Sequence, residues 1–178
     1  MTPFDQQSVL KSMTILHDAR EQETERAKRR YQSFGVPSSR AVLDYGDYTW
    51  QAVLPDGSEI HDTSARIYPK ISVERKMSLD ELAGCFTHDR ARFQAEMERA
   101  QDHGCRMFLL CENSSMENLF AGKYRSKFNP KAFTASLFAW MIRYNLEIIF
   151  CKEETSGKVI KEILYRDLKE RLSNGEFG

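Results

Sequence analysis

Strand-like and helix-like stretches alternate along most of this chain, and this alternation restricts the fold more than any other feature. Short apolar runs such as "CRMFLLCE" (105–112) and "LEIIFC" (146–151) have the length of strands that are buried on both faces. Amphipathic segments such as "HDRARFQAEMERAQDHG" (88–104) and "SGKVIKEILYRDLKERL" (156–172) stand beside them. Strands that alternate with helices predict an α/β fold, with a mixed β-sheet flanked by helices on both faces.

Local signals predict the remaining elements. Gly35 followed by Pro37 ends a charged, helix-favouring segment. Ser78, with Glu81 three residues later, forms a capping box at the start of another helix, and Pro69 indicates a strand that begins at an edge or a bulge. These signals predict a strand in 13–19, a helix in 21–35, two short β-rich runs around the turn signal "PDG" in 39–60, a strand in 65–76, and helices in 78–86 and 129–145.

The size and composition are typical of one globular domain. The chain has 178 residues, of which 41% are hydrophobic and 29% charged, and we expect a single domain over 1–178 with its core at about 13–170. No apolar run reaches the ~20 residues that a membrane helix needs, and the N-terminus lacks the pattern of a secretory signal. The four scattered cysteines are expected to be reduced. The expected location is therefore the cytoplasm, with association with the nucleoid in a bacterial host and with no membrane partner.

The net charge and the absence of nucleotide-binding motifs restrict the classes of function that the chain can have. The formal net charge is zero, whereas nucleic-acid-binding domains are often strongly basic. Neither G-x-x-x-x-G-K-[ST] nor G-x-G-x-x-G occurs, so no nucleotide cofactor is expected. Basic clusters at 26–30 and 123–131 are either solvated faces or binding surfaces.

The predicted strand that ends in "ISVERK" carries an acid and a base on one face. Because side chains alternate along a strand, Glu74 and Lys76 point to the same side and Arg75 points to the other. Burial of charged groups is costly even when they are paired. One interpretation is therefore an exposed strand with a surface ion pair.

Three further carboxylates support a second interpretation. Asp47 follows an apolar run, with Gly46 permitting an unusual backbone conformation, and Asp18 and Glu21 stand at the end of the first predicted strand. If these strands are neighbours, the acids converge with Glu74 at one edge of the sheet. Oxygen ligands of this kind favour Mg²⁺ or Mn²⁺, and a lysine beside the cation can activate water and stabilise charge on phosphate. This set favours phosphodiester hydrolysis.

These residues resemble the signature of a known family. "GDY" (46–48) followed by "VERKMSLD" (73–80) is similar to the G-D…E-R-K-x-x-x-D pattern of the XPF/Hef-type structure-specific DNA endonucleases, and "HDARE" (17–21) is similar to their D-x-R-E element. The resemblance covers about residues 13–170 and extends to "DRARFQAEMERA" (89–100), the helix after the signature. It implies the restriction-endonuclease-like fold. It also implies a metal-dependent endonuclease for branched or structured DNA in repair, recombination or replication, of the stand-alone bacterial or phage type.

The resemblance further implies roles for individual residues. Asp47 and Glu74 would be the principal metal ligands and Asp18 would complete the shell. Lys76 would position the nucleophile. Mg²⁺ or Mn²⁺ is the implied cofactor.

Other residues would support this set. Arg75 would brace the site by pairing with Asp80, although Asp80 is equally explained as an acid favoured in the first turn of a helix. Glu21 is either a supporting residue or merely such a first-turn acid. Arg92 is preferred to Arg90 as the family's arginine because Phe93 follows it. The expected supporting residues are Arg75, Asp80, Arg20, Glu21 and Arg92.

Two features depart from the family pattern. The insertion 48–70, between Asp47 and Glu74, is longer than usual and is interpreted as an extended hairpin. We expect no helix-hairpin-helix module within residues 1–178, although family members commonly bind DNA and dimerise through one. The nuclease domain would therefore bind DNA alone, as a homodimer, or with a partner protein.

The segment "ENSSMENLFAGKYRSKFNPK" (112–131) is a candidate DNA-contacting loop. It combines basic residues, as partners for phosphates, with Tyr124 and Phe128 as stacking surfaces. The alternative is an ordinary exposed loop that its aromatic residues anchor to the core. The basic residues are Lys123, Arg125, Lys127 and Lys131.

Three functions are therefore open to the chain. The first is the endonuclease, and the second is a catalytically inactive DNA-binding or scaffold protein of the same fold. The third is a protein unrelated to nucleic acid. The joint presence of Asp47, Glu74 and Lys76 favours the first, because an inactive site has no reason to keep costly carboxylates.

Overall fold

The computed structural model describes residues 1–177, which form six strands and seven helices. In chain order these are α1 (Pro3–Lys11), β1 (Thr14–Asp18), α2 (Glu25–Ser33), β2 (Ser38–Ala41), β3 (Tyr48–Gln51), β4 (Ile71–Lys76), α3 (Leu79–Phe86), α4 (Arg90–Asp102), β5 (Arg106–Glu112), α5 (Met116–Phe120), α6 (Pro130–Arg143), β6 (Glu147–Cys151) and α7 (Glu153–Ser173).

The strands form one mixed sheet in the order β2-β1-β3-β4-β5-β6. β3 is antiparallel to both of its neighbours, β1 and β4, whereas the other pairs of adjacent strands are parallel. As a result, the ends of β1 and β4 and the start of β3 lie side by side. The N–H of Asp18 donates to the carbonyl of Asp47, and the N–H of Asp47 donates to the carbonyl of Val73, each at 2.9 Å.

Side chains that alternate along the strands feed a separate core on each face of the sheet. On β5, Leu109 packs with α3, α4 and α6, whereas Leu110 packs with α7 on the opposite face. Burial of each large apolar side chain stabilises the fold by about 1.5–3 kcal/mol. The predicted mixed sheet with helices on both faces is thus confirmed. The largest fully buried side chains include Trp50, Trp140, Tyr45, Tyr48 and Phe133.

Helices α2 and α7 approach closely at Gly157. A Cβ atom at this position would lie 1.9 Å from Ser33 Oγ and 2.7 Å from the carbonyl oxygen of Arg30. The missing side chain therefore allows α7 to lie against α2, and this contact places Arg30 against the edge of the sheet where the strand ends meet.

Two short helices, α1 and α5, were not among the predicted elements. Helix α1 buries only Val9, so it shows little apolar periodicity. Its start is fixed by a capping box in which Thr2 and Asp5 exchange hydrogen bonds. Ser115 caps α5 in a similar way, by accepting from the N–H of Asn118 at 3.2 Å. Capping rather than periodicity identifies both helices.

The hairpin expected in the insertion 48–70 is much shorter than predicted. Beyond β3, it is limited to one isolated antiparallel bridge between Val53 and Glu59. Side chains compete with strand pairing there: Asp56 accepts from the N–H of Ser58, and Asp62 accepts from the N–H of Ser64, both at 2.9 Å. β4 begins only after Pro69.

A helix that crosses a bilayer must be both long and apolar. Within residues 1–177, no helix combines the length and the apolar character needed to cross a membrane.

Candidate functional site

Three carboxylates meet where β1, β3 and β4 adjoin. Asp18 ends β1, Asp47 directly precedes β3, and Glu74 lies near the end of β4. They share a cleft of about 250 Å³. The predicted convergence of these acids is therefore found in the fold. The cleft is lined by Asp18, Arg20, Glu21, Gly46, Asp47, Glu74, Lys76, Glu81, Arg92 and Glu96.

Asp47 is held by a turn that only glycine accommodates. Asp47 was expected to follow a strand, but it directly precedes β3 and follows Gly46, which has a φ of +70°. A Cβ on Gly46 would lie 2.0 Å from Ser72 Oγ. The Asp47 carboxylate accepts a hydrogen bond from the N–H of Arg75 at 2.7 Å, which links it to β4.

Glu74 and Lys76 form a buried ion pair on one face of β4. Burial raises the pKa of Glu74 well above its ordinary value, and the nearby charge of Asp47 raises it further. Burial alone would lower the pKa of Lys76, but the charges of Glu74 and Asp47 outweigh it and raise that pKa. The Lys76 ammonium, 5.4 Å from the centre of the Phe93 ring, therefore stays charged. The interpretation as an exposed surface pair is wrong, because both side chains are largely buried.

Asp18 has one carboxylate oxygen in use and one free of protein partners. Its Oδ2 pairs with Nε of Arg20. Its Oδ1 is buried and finds no hydrogen-bond donor among residues 1–177. A buried, unsatisfied oxygen costs about 1–3 kcal/mol, and such an atom in a native structure calls for an explanation, such as an ion or a water.

Glu96 is a further carboxylate of the cleft, and it was not among the candidates predicted from the sequence. It accepts a hydrogen bond from the N–H of Gly46 at 2.8 Å and so supports the turn before Asp47. Burial raises the pKa of Glu96, and this outweighs the hydrogen bond from Gly46, which lowers it. The signal was present in the sequence, because Glu96 lies between Phe93 and Met97 on the face of α4 that is otherwise apolar.

A buried network on the opposite face of β4 contains Arg75. Glu112, which is fully buried, accepts from Arg75 and from Arg30, each at 3.3 Å. Glu21 pairs with the same two arginines, at 3.1 Å to Arg30 and 3.6 Å to Arg75, and also accepts from the hydroxyl of Tyr48. Glu21 is therefore a bracing residue rather than a helix first-turn acid, since α2 begins only at Glu25.

The predicted pairing of Arg75 with Asp80 is wrong. Arg75 points to the face that carries Glu112, whereas Asp80, in the first turn of α3, pairs with Arg125 at 3.3 Å. The two residues lie on different sides of the strand end because Arg75 alternates with Glu74 and Lys76 along β4.

The two candidate arginines of α4 have different surroundings. Arg92 is exposed, lines the cleft and pairs with Asp89 at 3.3 Å. The guanidinium of Arg90 lies 5.7 Å from the centre of the Trp140 ring. Of the two, Arg92 is the one beside the acids.

The basic residues of the loop before α6 are exposed, and its aromatic residues are not free to stack. Tyr124 and Phe128 pack on Phe133 at ring-centre distances of 5.5 and 5.3 Å. They anchor the loop, as the alternative interpretation expected. The exposed basic residues of this loop are Lys123, Arg125 and Lys127, and Lys131, in the first turn of α6, is exposed as well.

The acids do not form a preassembled metal centre. Among residues 1–177, no three His, Cys, Asp or Glu side chains stand in a geometry ready to hold an ion. Lys76 occupies one oxygen of Glu74, and Arg20 occupies one oxygen of Asp18. The oxygens that remain, Asp18 Oδ1 foremost, suit a hard divalent cation by their chemistry.

Comparisons with known proteins bear on the family and the fold. The family model described as "ERCC4 domain" matches residues 17–163. XPF from Aeropyrum pernix has a TM-score of 0.59 and 19% identity, covering 86% of this chain and 61% of that chain. XPF from Aeropyrum pernix in complex with DNA has a TM-score of 0.59 and 20% identity, covering 89% and 66%. The search of curated proteins gives no match.

These matches establish the fold. This chain spans less than two thirds of the XPF chains that it matches. At this identity the likeness concerns the fold alone, which is the mixed α/β sheet of the restriction-endonuclease-like type that the sequence predicted.

Proposed function

The chain belongs to the ERCC4 domain family, and from this premise we propose that it is a divalent-metal-dependent endonuclease. It hydrolyses phosphodiester bonds in branched or otherwise structured DNA, in repair or recombination. One observation carries the proposal: Asp18, Asp47 and Glu74 line a single cleft together with the ammonium of Lys76. Hydrolysis of a phosphodiester requires that the negative charge developing on the phosphate be stabilised, and a cation and an ammonium group in one cleft can do this.

The cofactor is Mg²⁺ or Mn²⁺, and Asp18, Asp47 and Glu74 would hold it. Two features support a cation among these acids: the unpartnered oxygen of Asp18, and the pKa of Glu74, which burial and then the nearby charge of Asp47 raise. When bound, such an ion lowers the pKa of a water molecule and polarises a phosphoryl oxygen.

The residues of the chain itself supply orientation and positive charge. Lys76 is a buried ammonium, so its field on a phosphate in the cleft is weakly screened. It stabilises the negative charge that develops on the phosphate during hydrolysis. The amide of Arg75 and the guanidinium of Arg20 fix the carboxylates of Asp47 and Asp18, respectively. Preorganised groups of this kind lower the barrier because they need not rearrange during the reaction.

DNA would be held mainly through its phosphates. Lys123, Arg125 and Lys127 are exposed on one loop beside the first turn of α3, and Lys131 is exposed in the first turn of α6. Binding through such residues is sequence-independent and weakens with salt. Because the net charge of the chain is zero, a second copy of the chain or a partner protein would complete the DNA-binding surface.

The test is cleavage of labelled flap, fork, four-way junction and linear duplex DNA with Mg²⁺, with Mn²⁺, or with a chelator. We expect cleavage of the branched substrates only when the metal is present. Glu74→Gln and Asp47→Asn should each lower the rate by about 10²-fold or more, the range found when one preorganised charge-stabilising group is lost. Glu147→Gln, which alters an exposed acid of β6, is the control.

Two outcomes would contradict the proposal. Equal rates for the wild type and Glu74→Gln would show that the acids play no catalytic part. Salt-dependent DNA binding without cleavage by the wild type would favour the inactive DNA-binding alternative.

A further inference from the structure

Asp80 is the last residue of the E-R-K-x-x-x-D signature, yet its carboxylate does not join Asp47 and Glu74 in the cleft. Its neighbour Glu81 lines the cleft, and Asp80 is not among the described residues that do so. Asp80 Oδ1 accepts hydrogen bonds from the N–H groups of Arg125 and Ser126, both at 2.7 Å. Its Oδ2 accepts from Nε of Arg125 at 3.3 Å. Asp80 therefore ties the first turn of α3 to the loop between α5 and α6.

This loop, residues 121–129, depends on a few contacts for its shape. It contains no helix or strand. Tyr124 and Phe128 fix it to the core below, and the hydroxyl of Tyr124 donates to the carbonyl of Phe128 at 2.8 Å. Asp80 fixes its middle, between these two anchors. We call residues 123–127 the basic loop.

The side chains of the basic loop alternate between core and solvent. Tyr124 is half-buried, whereas Lys123, Arg125 and Lys127 are exposed. The side chain of Arg125 is 93% exposed, even though it contacts Asp80. Its guanidinium is therefore available to a ligand, while the tight contacts of Asp80 are those to the backbone.

The electrostatics support a fixed contact. Partial burial would raise the pKa of Asp80, but hydrogen bonds from the backbone of Ser126 and Arg125 outweigh it and lower that pKa. The carboxylate is thus ionised at neutral pH, and hydrogen bonds to an ionised acceptor are the stronger kind.

We propose that Asp80 is a positioning residue that holds the basic loop beside the cleft, where Lys123, Arg125 and Lys127 bind the phosphate backbone of the DNA. This inference rests on the proposed function. It assigns Asp80 to substrate binding through the loop rather than to the reacting atoms. The first turn of α3 carries both connections, with Glu81 facing the cleft and Asp80 facing the loop.

The first test measures binding of branched DNA by fluorescence anisotropy over a series of salt concentrations. A chelator is present so that no DNA is cleaved during the measurement. Asp80→Ala should weaken binding by about tenfold and reduce the slope of log K against log[salt] by about 1–2, because each lost phosphate contact removes about 0.9 from it. Asp80→Asn keeps an acceptor oxygen for the two amides and should fall between Asp80→Ala and the wild type. Asp62→Ala is the matched control, because Asp62 accepts from the N–H of Ser64 at 2.9 Å in another loop and should not alter binding.

The second test separates positioning from catalysis. Asp80→Ala should raise KM for cleavage by about tenfold and lower kcat less than twofold, since the loss is one of substrate contacts. Trypsin should cut the basic loop faster in Asp80→Ala than in the wild type. The two proteins should have the same melting temperature, which shows that only the loop is loosened. In a triple variant, Lys123→Gln/Arg125→Gln/Lys127→Gln, adding Asp80→Ala should cause little further loss of binding, because coupled residues are not additive.

The outcomes distinguish this inference from the proposed function. If the wild type binds DNA and Asp80→Ala binds equally well, the positioning role is overturned and the nuclease proposal stands. A fall in kcat at unchanged KM, persisting in the triple variant, would place Asp80 at the reacting atoms and also overturn it. A wild type that binds no DNA would overturn both proposals.

Discussion

Removal of the charge on Glu112 should destabilise the protein strongly, because this carboxylate is the hub of the buried network behind the cleft. Its side chain is fully buried and contacts Arg30 and Arg75, whose side chains are 3% and 17% exposed. Glu112→Gln keeps the shape of the side chain but removes the negative charge that faces the two buried guanidinium groups. Breaking a buried ion pair from one side typically costs 3–5 kcal/mol.

The loss of stability should lie at the lower end of that range, because Glu21 remains as a second partner of both arginines. Glu21 still pairs with Arg30 at 3.1 Å and lies 3.6 Å from Arg75. We therefore expect the free energy of unfolding to fall by about 3 kcal/mol. For a chain of this size, such a loss lowers the melting temperature by about 6–12 °C.

The measurement is urea unfolding followed by fluorescence, with thermal melting as a second probe. The control is Glu147→Gln, which breaks the pair of Glu147 with Arg106, whose side chains are 46% and 60% exposed. Exposed pairs contribute about 0–1 kcal/mol, so this variant should remain close to the wild type. If Glu112→Gln loses no more stability than Glu147→Gln, the network is not the buried brace described above.

Three further predictions concern backbone, metal and pH. Gly46→Ala should cost several times as much stability as Gly57→Ala on urea unfolding, because both glycines have positive φ but only a Cβ on Gly46 meets another atom, Ser72 Oγ at 2.0 Å; equal costs would refute the steric argument. Mn²⁺ at 100 times its Kd should stabilise the wild type by about 2.7 kcal/mol in thermal melts, and Glu74→Gln should lose most of this gain; an identical gain would place the ion elsewhere. Burial lowers the pKa of His61 from 6.5, so the unfolded chain binds more protons as pH falls through 6.5 and stability decreases there. His61→Phe should flatten this decrease in melts at several pH values, and an unchanged slope would exclude His61 as its source.

The sequence predicted those parts of the site that depend on local rules. Alternation along β4 correctly placed Glu74 and Lys76 on one face and Arg75 on the other. The element order predicted the mixed sheet, and neighbouring strands then brought Asp18 and Asp47 to Glu74. The proposed roles of these residues remain predictions.

Contacts between distant segments were not predictable. Glu112 meets Arg30 and Arg75 only because β5 adjoins β4 and α2 packs over the strand ends, and no local pattern encodes that meeting. Asp80 was expected to pair with Arg75, whereas its actual partner, Arg125, lies on a loop that is remote in sequence. Glu96, by contrast, could be predicted, because it interrupts the apolar face that Phe93 and Met97 form on α4.

The antiparallel insertion of β3 between β1 and β4 has a consequence for the newly made chain. Strands that pair over long stretches of sequence fold slowly, because chain closure must precede the contacts. The acids lie on β1, β3 and β4, and the brace behind them needs β5. A ribosome-bound fragment that ends before β5 therefore has the residues that line the cleft but lacks Glu112, which braces the arginines behind it. The proposed nuclease activity would require the completed sheet, so we expect truncated translation products to leave DNA intact.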